Sequence, residues 1–507
     1  MTFTQLIQAK TEEYLKTVSK AERKEIGQFF TPAPIADYMA SFSEFRHESV
    51  RILDPGAGCG ILTAAIVDFL LARNVKRFEI DLYENNAAVI PLLEDNLQFM
   101  QEHLCAKNVQ MVFEIHERNF IADNHFAWTG MLPSEKYDIV ISNPPYKKIA
   151  KDSAESAIMQ DIVYGQPNLY FLFMAMGAKL LKAGGEFIYI VPRSFSSGLY
   201  FSAFRKWFLS ELRITSLHLF ASREAVAGKQ DKILQETVIL RAVKTSFSQV
   251  EIEITESTDG LDIRKIKRYF VRYNTCVKND EHSFLYLPTS EQDAQVLDFI
   301  NHWHATLPTL GFRMKTGKLV DFREREWLCQ TPSDNTIPLL WPFNLNGARI
   351  KFPVQMQGKP QYLKDDSRTK RLQMVRGNYL LLKRFTSKEE KRRLQCTLLF
   401  AEDFSTFDSI STENHLNYIA KTNGSMRLEE MYGLFVLLNS SYLDRYFRIL
   451  NGSTQVNATE INAMPFPPIE SIHEMGHRAM QYEDLNESVC DAILEEQFML
   501  QQMSKAI

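Results

Sequence analysis

Short apolar runs and helical stretches take turns through the first half of the chain, and this alternation constrains the fold more than any other feature. Val50–Asp54 reads as a strand, Ile61–Ala72 as a helix, Phe78–Glu84 as a strand and Ala87–His103 as a helix. Val109–Ile115, Tyr137–Ser142 and Phe187–Val191 are further strands, and a helix over Leu169–Leu181 stops at Gly184-Gly185. Strand–helix units repeated in this way pack as a mostly parallel sheet covered on both faces. Ile214–Phe220 and Glu236–Ala242 follow with no helix between them, which suits an antiparallel pair.

After about Val243 the pattern changes to irregular segments in which Gly, Pro, Trp and basic residues mix. The last stretch, from about Glu470, reads as helix with acidic and Met-rich faces. A chain of 507 residues holds at least two domains at roughly 100–200 residues each. The expected layout is an N-terminal helix over 1–24, an α/β domain over 25–245, a second domain over 246–470 and a helical tail over 471–507.

Composition narrows the class of protein. Hydrophobic residues at 45% and charged residues at 24% suit a globular chain with a real core and exclude a collagen, a disulfide-stapled miniprotein and a disordered chain. The six cysteines, Cys59, Cys105, Cys276, Cys329, Cys396 and Cys490, are far apart and form no CxxC pair, so neither a zinc site nor a disulfide framework is expected. Met1–Lys24 has no apolar signal core, and the longest apolar run, Leu169–Leu181, is too short for a bilayer and contains Lys179. A cytoplasmic protein with no membrane partner and no metal is the expectation.

Three motifs carry chemistry. The first is Asp54-Pro55-Gly56-Ala57-Gly58-Cys59-Gly60, between a strand and a helix. Small residues let the backbone pass close to a ligand. No Gly-Lys-Ser/Thr follows, and the Asp54 carboxylate would repel a phosphate. It suits a cationic ligand such as S-adenosylmethionine; the plain alternative is a tight strand–helix turn. The second is Glu84, at the end of the next strand, where a carboxylate can accept from both hydroxyls of a ribose.

The third motif, Asn143-Pro144-Pro145-Tyr146, is the sharpest. Two prolines fix two φ angles and leave carbonyl oxygens pointing in rigid directions. The Asn143 side-chain oxygen and the Pro144 carbonyl can converge on one NH2 group, and Tyr146 offers a flat face for a planar ring. An exocyclic amine is a poor nucleophile because its lone pair conjugates with the ring. Two acceptors on its hydrogens favour the pyramidal form, whose lone pair is free to attack a methyl group.

Gly27-Gln28-Phe29-Phe30-Thr31-Pro32, the Asp54 loop, Glu84 and Asn143–Tyr146 occur in an order that resembles the gamma group of DNA amino-methyltransferases, over about residues 25–242. Later segments resemble the BsuBI/PstI modification methylases: Lys383-Arg384-Phe385, Lys388–Arg393, Glu413–Asn417 and Asn451–Asn457. The resemblance implies a seven-stranded S-adenosylmethionine-dependent methyltransferase sheet, Rossmann-like, with a C-terminal α+β target recognition domain. It implies N6-adenine methylation in duplex DNA, within CTGCAG. A restriction endonuclease would act separately on the same site. It implies that Phe29 and Thr31 close over the methionine part of the cofactor, that Asp54, Gly56, Glu84 and Asn143 also bind it, and that Phe220 clamps the extruded base opposite Tyr146. Asn119-Phe120 stands where the family has Asp-Phe against the cofactor adenine; Asn keeps one acceptor oxygen but loses the charge.

The net charge is -4, yet residues 349–393 carry fourteen Lys and Arg against four acidic residues. Such clustering suits phosphate contact, and Arg371, Lys383, Arg384, Lys391, Arg392 and Arg393 are the DNA-binding candidates. The reading is therefore a monomeric, site-specific DNA adenine N6-methyltransferase of a restriction-modification system. The alternatives are a methyltransferase of RNA bases or protein glutamine, and a DNA-binding protein or endonuclease without methyl transfer.

Overall fold

The computed structural model describes residues 2–17, 31–220, 237–246, 248, 250–257, 266–278, 283–387, 390–451 and 454–505. They fall into two compact units, Met1–Glu291 and Gln292–Ile507.

The first unit is built on β1 (Ser49–Pro55), β2 (Arg77–Tyr83), β3 (Gln110–His116), β4 (Tyr137–Ser142), β5 (Leu181–Pro192), β6 (Arg213–Phe220), β7 (Thr237–Val243), β8 (Glu251–Ser257) and β9 (Lys267–Arg272). Their order in the sheet is β3-β2-β1-β4-β5-β7-β6-β8-β9. β1 to β5 run parallel, and β7 is antiparallel to both β5 and β6. The expected seven strands are thus corrected to nine: β8 adds parallel to β6, and β9 adds antiparallel to β8. The boundary expected after residue 245 assigned both to the C-terminal region. In β8 Ile252 and Ile254 are buried on one face, while the other begins with exposed Glu251 and ends with Thr255 and Ser257 buried on His218.

One face of the sheet is covered by α1 (Phe3–Thr17), α2 (Ala33–Ser41), α3 (Ile61–Leu71) and α4 (Ile90–Cys105). Phe3 and Ile7 of α1 join the same core as Ile52, Ile80, Ile139 and Ile188, so this helix is part of the unit and not a separate arm. Phe187 and Tyr189 alternate with Ile188 and so face the other way. They stack on each other at 4.0 Å, under Phe208 of α6 (Ser202–Glu211), with α5 (Leu169–Leu180) alongside.

A buried ion pair ties α2 to the sheet. Glu186 Oε1 lies 2.8 Å from Arg241 Nη2 and accepts from the Glu44 amide, while its Oε2 accepts from Ser43 Oγ at 2.6 Å. Arg241 Nη1 donates to Thr215 Oγ1 at 2.9 Å.

The second unit has two small sheets. One orders Phe312–Thr316, Leu416–Lys421, Tyr379–Lys383, Cys396–Leu399, Arg349–Ile350 and Leu345–Asn346; the other orders Leu328–Cys329, Tyr362–Lys364, Thr336–Leu340, Ser409–Thr412 and Gln373–Val375. The tail expected over 471–507 is integral to this unit. Its helix Ile469–Ala479 crosses the helix Leu428–Asn439 in backbone contact: a Cβ at Gly433 would sit 2.0 Å from the Ile472 carbonyl, and one at Gly476 2.0 Å from that of Glu429. Cys490, Ile493 and Leu494 of the final helix are buried.

Removing Arg241 leaves the buried Glu186 carboxylate without a cation, whereas Arg241 without Glu186 keeps the exposed Glu44 carboxylate at 3.0 Å. Arg241→Leu is expected to destabilise the protein by about 3–5 kcal/mol in urea unfolding, and the double replacement Glu186→Leu/Arg241→Leu by much less.

Candidate active site

The chain leaves β1 through a loop in which Gly56, Gly58 and Gly60 take φ of 80°, 55° and 82°. These left-handed conformations favour residues without a Cβ. The Gly56 and Ala57 amides both donate to the Tyr83 carbonyl at the end of β2, at 2.8 and 3.0 Å. The next residue, Glu84, accepts from the Gly58 amide through Oε2 at 2.9 Å and from the Asn86 amide through Oε1 at 2.8 Å. Two backbone donors therefore fix the Glu84 carboxylate, which is 8% exposed.

Loop and carboxylate form one side of a cavity of ≈ 350 Å³, whose walls include Thr31, Glu84, Asn119, Phe120, Asn143, Pro144, Pro145, Lys147, Glu155 and Phe173. A Cβ at Gly56 would lie 3.7 Å from Phe173 and 3.9 Å from Pro145. Phe120 packs against Tyr83 and Phe173 at centroid distances of 5.0 and 5.1 Å and presents an aromatic wall.

Asp54 does not line this cavity. It is fully buried; Oδ2 accepts from Thr63 Oγ1 at 2.7 Å, and Oδ1 has no hydrogen-bond partner among the described residues. Burial, opposed by the Thr63 bond and aided by the nearby Glu84 charge, pushes its carboxyl up to about 7. The strand runs on as far as Pro55, so the side chain of Asp54 stays inside the fold, two positions before the first glycine that faces the cavity.

The elbow after β4 is held at several points. Ser142 Oγ donates to the Pro55 carbonyl at 2.6 Å, which joins the ends of β4 and β1. Asn143 Nδ2 donates to Thr31 Oγ1 at 3.0 Å and so fixes the rotation of the amide. Tyr146 Oη donates to the Ile190 carbonyl at 3.0 Å, and its ring stands edge-on to Tyr170 at 6.2 Å. Burial raises the Tyr146 hydroxyl far above the ordinary tyrosine range. The segment beyond is tied down where the Leu169 amide donates to the Lys147 carbonyl at 2.8 Å.

The expected residues are not all gathered here. Thr31, Gly56, Glu84, Asn119, Phe120, Asn143 and Pro144 share the cavity. Phe29 lies outside the described residues. Phe220 packs in the apolar core, edge-on to His218 at 4.6 Å. The Asn119 oxygen is engaged elsewhere than expected: it caps a helical turn by accepting from the Ile121 and Ala122 amides at 3.1 and 3.0 Å. Glu155 and Lys147 were not anticipated; nothing in their local sequence distinguishes them from solvated loop residues. Asp81, Glu114 and His116 come together on β2 and β3 outside the cavity, a grouping of carboxylates and His that the sequence did not suggest. Asp81 there also receives Tyr137 Oη at 2.7 Å and Arg51 Nη2 at 3.2 Å.

Two of the DNA-binding candidates are structural. Arg393 is fully buried, with Nε on Thr386 Oγ1 at 3.0 Å and its guanidinium over the Phe447 ring. Arg392 donates to the carbonyls of Leu438, Asn439 and Ser440 at the end of the helix Leu428–Asn439, and to Glu487 at 2.8 Å. The Leu438 and Asn439 carbonyls lie in the last turn of that helix, where no further helical amide follows, while the Ser440 carbonyl also accepts from the Asp444 amide at 3.3 Å; one guanidinium fork reaches all three. Arg371 and Lys391 are exposed, each near a carboxylate: Glu324 at 2.6 Å and Glu487 at 3.7 Å. Lys383 and Arg384 are half-buried.

Arg384 belongs to a place where three distant segments meet. Its amide donates to the His415 carbonyl at 2.9 Å, its Nη1 to the Asn414 carbonyl at 3.1 Å, and its own carbonyl accepts from the Val456 amide at 2.7 Å. Phe385 is exposed, pairs with Gln455 and lies 5.0 Å from the His415 ring.

A family model described as Eco57I restriction-modification methylase matches residues 61–226. The chain is 32% identical over 502 residues to the Type II methyltransferase M.PstI of Providencia stuartii, spanning 98% of this chain and 97% of the relative. It is 32% identical over 506 residues to M.BsuBI of Bacillus subtilis, spanning 96% and 98%. Its fold is similar to that of the Type IIL restriction-modification enzyme MmeI in complex with DNA, with a TM-score of 0.55 at 12% identity over 94% of this chain and 71% of that one. Among the described residues no helix is long and apolar enough to cross a membrane.

Asp54 makes stability depend on pH. Between an ordinary carboxyl near pH 4 in the unfolded chain and about 7 in the fold, the folded state holds the extra proton. Stability from this group is therefore full below about pH 4 and falls as pH rises to about 7, by on the order of 4 kcal/mol. Asp54→Asn is expected to flatten that slope in urea unfolding followed across pH.

Proposed function

The chain belongs to the Type II restriction-modification methyltransferases, and we propose that it transfers a methyl group from S-adenosylmethionine to N6 of an adenine flipped out of duplex DNA. The observation that carries this reading is that Asn143 and Pro144 open onto the same cavity as Glu84 and the glycine loop. An amine held at the elbow thus lies beside whatever the loop and Glu84 bind.

The cavity residues fit the cofactor. Glu84 is aimed by two amides and suits the ribose hydroxyls, Phe120 suits a purine face, and Thr31 with Asn143 suits the methionine end. Asp54 is not a direct ligand at the cavity wall; burial raises its carboxyl to about 7, and a cation in the cavity would favour its ionised form. When bound, the cofactor supplies an electrophilic methyl on a sulfonium.

The chain's own part is to prepare the amine. The Asn143 side-chain oxygen and the Pro144 carbonyl accept its two hydrogens and turn the lone pair toward the methyl. Tyr146, its hydroxyl anchored on Ile190, presents its ring to the target base. The proton leaves to water, so no general base is assigned.

Target reading is assigned to the second unit. The cluster of exposed Phe385 and His415 with half-buried Arg384 and Gln455 brings donors, an acceptor and an apolar ring together, the mix that base-edge reading uses. Arg371, Lys383 and Lys391 serve the phosphates. The site is CTGCAG, the enzyme works as a monomer on one strand at a time, and a separate endonuclease shares the sequence.

With labelled cofactor, label is expected in duplex DNA as N6-methyladenine, and CTGCAG sites are expected to resist digestion after expression. Label in RNA or in a glutamine peptide instead would refute the reading. Asn143→Ala is expected to abolish transfer while calorimetric cofactor affinity stays within about an order of magnitude. Arg384→Ala is expected to weaken DNA binding and relax discrimination at one base pair, at a cost of about 1–3 kcal/mol in binding free energy.

A further inference from the structure

Asn119 cannot offer an acceptor to a ligand in the cavity. Its side-chain oxygen has two lone pairs, and the Ile121 and Ala122 amides take them. Its nitrogen only donates, and it donates at 2.8 Å to Glu155 Oε1. The amide cannot flip without breaking both capping bonds. The hydrogen-bond direction between Asn119 and Glu155 is therefore fixed.

Glu155 comes from a different part of the chain. It sits in the first turn of the short helix Ala154–Ile158, where Ser153 Oγ accepts from the Ser156 amide, and it lines the cavity beside Asn119 and Phe120. Among the described residues no Lys or Arg forms an ion pair with it, and its Oε2 receives no hydrogen bond. A half-buried carboxylate, with one oxygen locked and the other unclaimed, faces the same space as the aromatic wall.

We propose that Glu155 is the acceptor for the exocyclic amine of the cofactor's adenine, and that it makes the cavity select a 6-aminopurine nucleoside over a 6-oxopurine one. This rests on the cofactor reading above. Glu155 binds and selects; it takes no part in the transfer.

Calorimetry with S-adenosylhomocysteine and S-inosylhomocysteine tests it, because the two differ only at the purine edge: an amine beside an accepting N1 against a carbonyl beside N1–H. The wild-type protein is expected to favour the adenosyl ligand about ten-fold or more. In Glu155→Gln, the oxygen must stay on Asn119, so the amide nitrogen turns to the ligand. It then donates where an acceptor stood. The preference is expected to collapse or invert, through weaker adenosyl and stronger inosyl binding. If the wild type binds the adenosyl ligand and the variant keeps the same preference, or loses both ligands equally, Glu155 is only a loop tie and the proposal fails. If the wild type binds neither ligand, the cofactor reading fails with it.

Discussion

The Tyr83 carbonyl accepts from two consecutive amides of the glycine loop, and the residue after it accepts from a third. Through these bonds the end of β2 holds the turn after β1 in shape. The rest of the cavity is assembled around that grip. Ser142 joins β4 to Pro55 at the root of the same turn, so the elbow that starts at Asn143 is referenced to the loop and not to solvent. Thr31 then fixes the Asn143 amide from the chain segment ahead of α2. Backbone donors set the position of Glu84, so its placement survives changes in the surrounding side chains.

Much of this was legible in the residues. Strand–helix alternation located β1 to β5, and the glycines, Glu84 and the Pro-Pro elbow fell where the cavity forms. Sequence could not say which atoms of a named residue are already spoken for. Asn119 was read as offering its oxygen, but a residue preceding a helical turn is drawn to cap it, and two amides claimed that oxygen first. The sequence suggests that Asp54 faces a ligand; β1 instead continues through Pro55 and keeps this side chain in the interior.

Charge was the least transparent feature. A run such as Lys391-Arg392-Arg393 looks the same whether it faces phosphate or the end of a buried helix. Arg392 and Arg393 went to the interior because the helix Leu428–Asn439 ends on carbonyls that need donors, and because Asp444 accepts the backbone amides of Arg393 and Leu394 at 2.7 Å. That need arises from a segment distant in the chain, so no local pattern announces it. For β8 and β9 the difficulty was opposite: strands carrying many polar residues look like an irregular boundary, even where some of those residues, such as Thr255 and Ser257, are buried.

On the proposed reading, the meeting of Arg384, His415 and Val456 bears on how a chain of this family could acquire a new target. Their main chains are stitched to one another, and Asn417 adds a bond to the Val456 carbonyl at 2.7 Å from below. A chimera that transplanted one of the three peptides would import its side chains but break the register that aims them. Divergence in this region is accordingly constrained to single side-chain exchanges on a retained scaffold, or to replacement of the whole woven patch as one module.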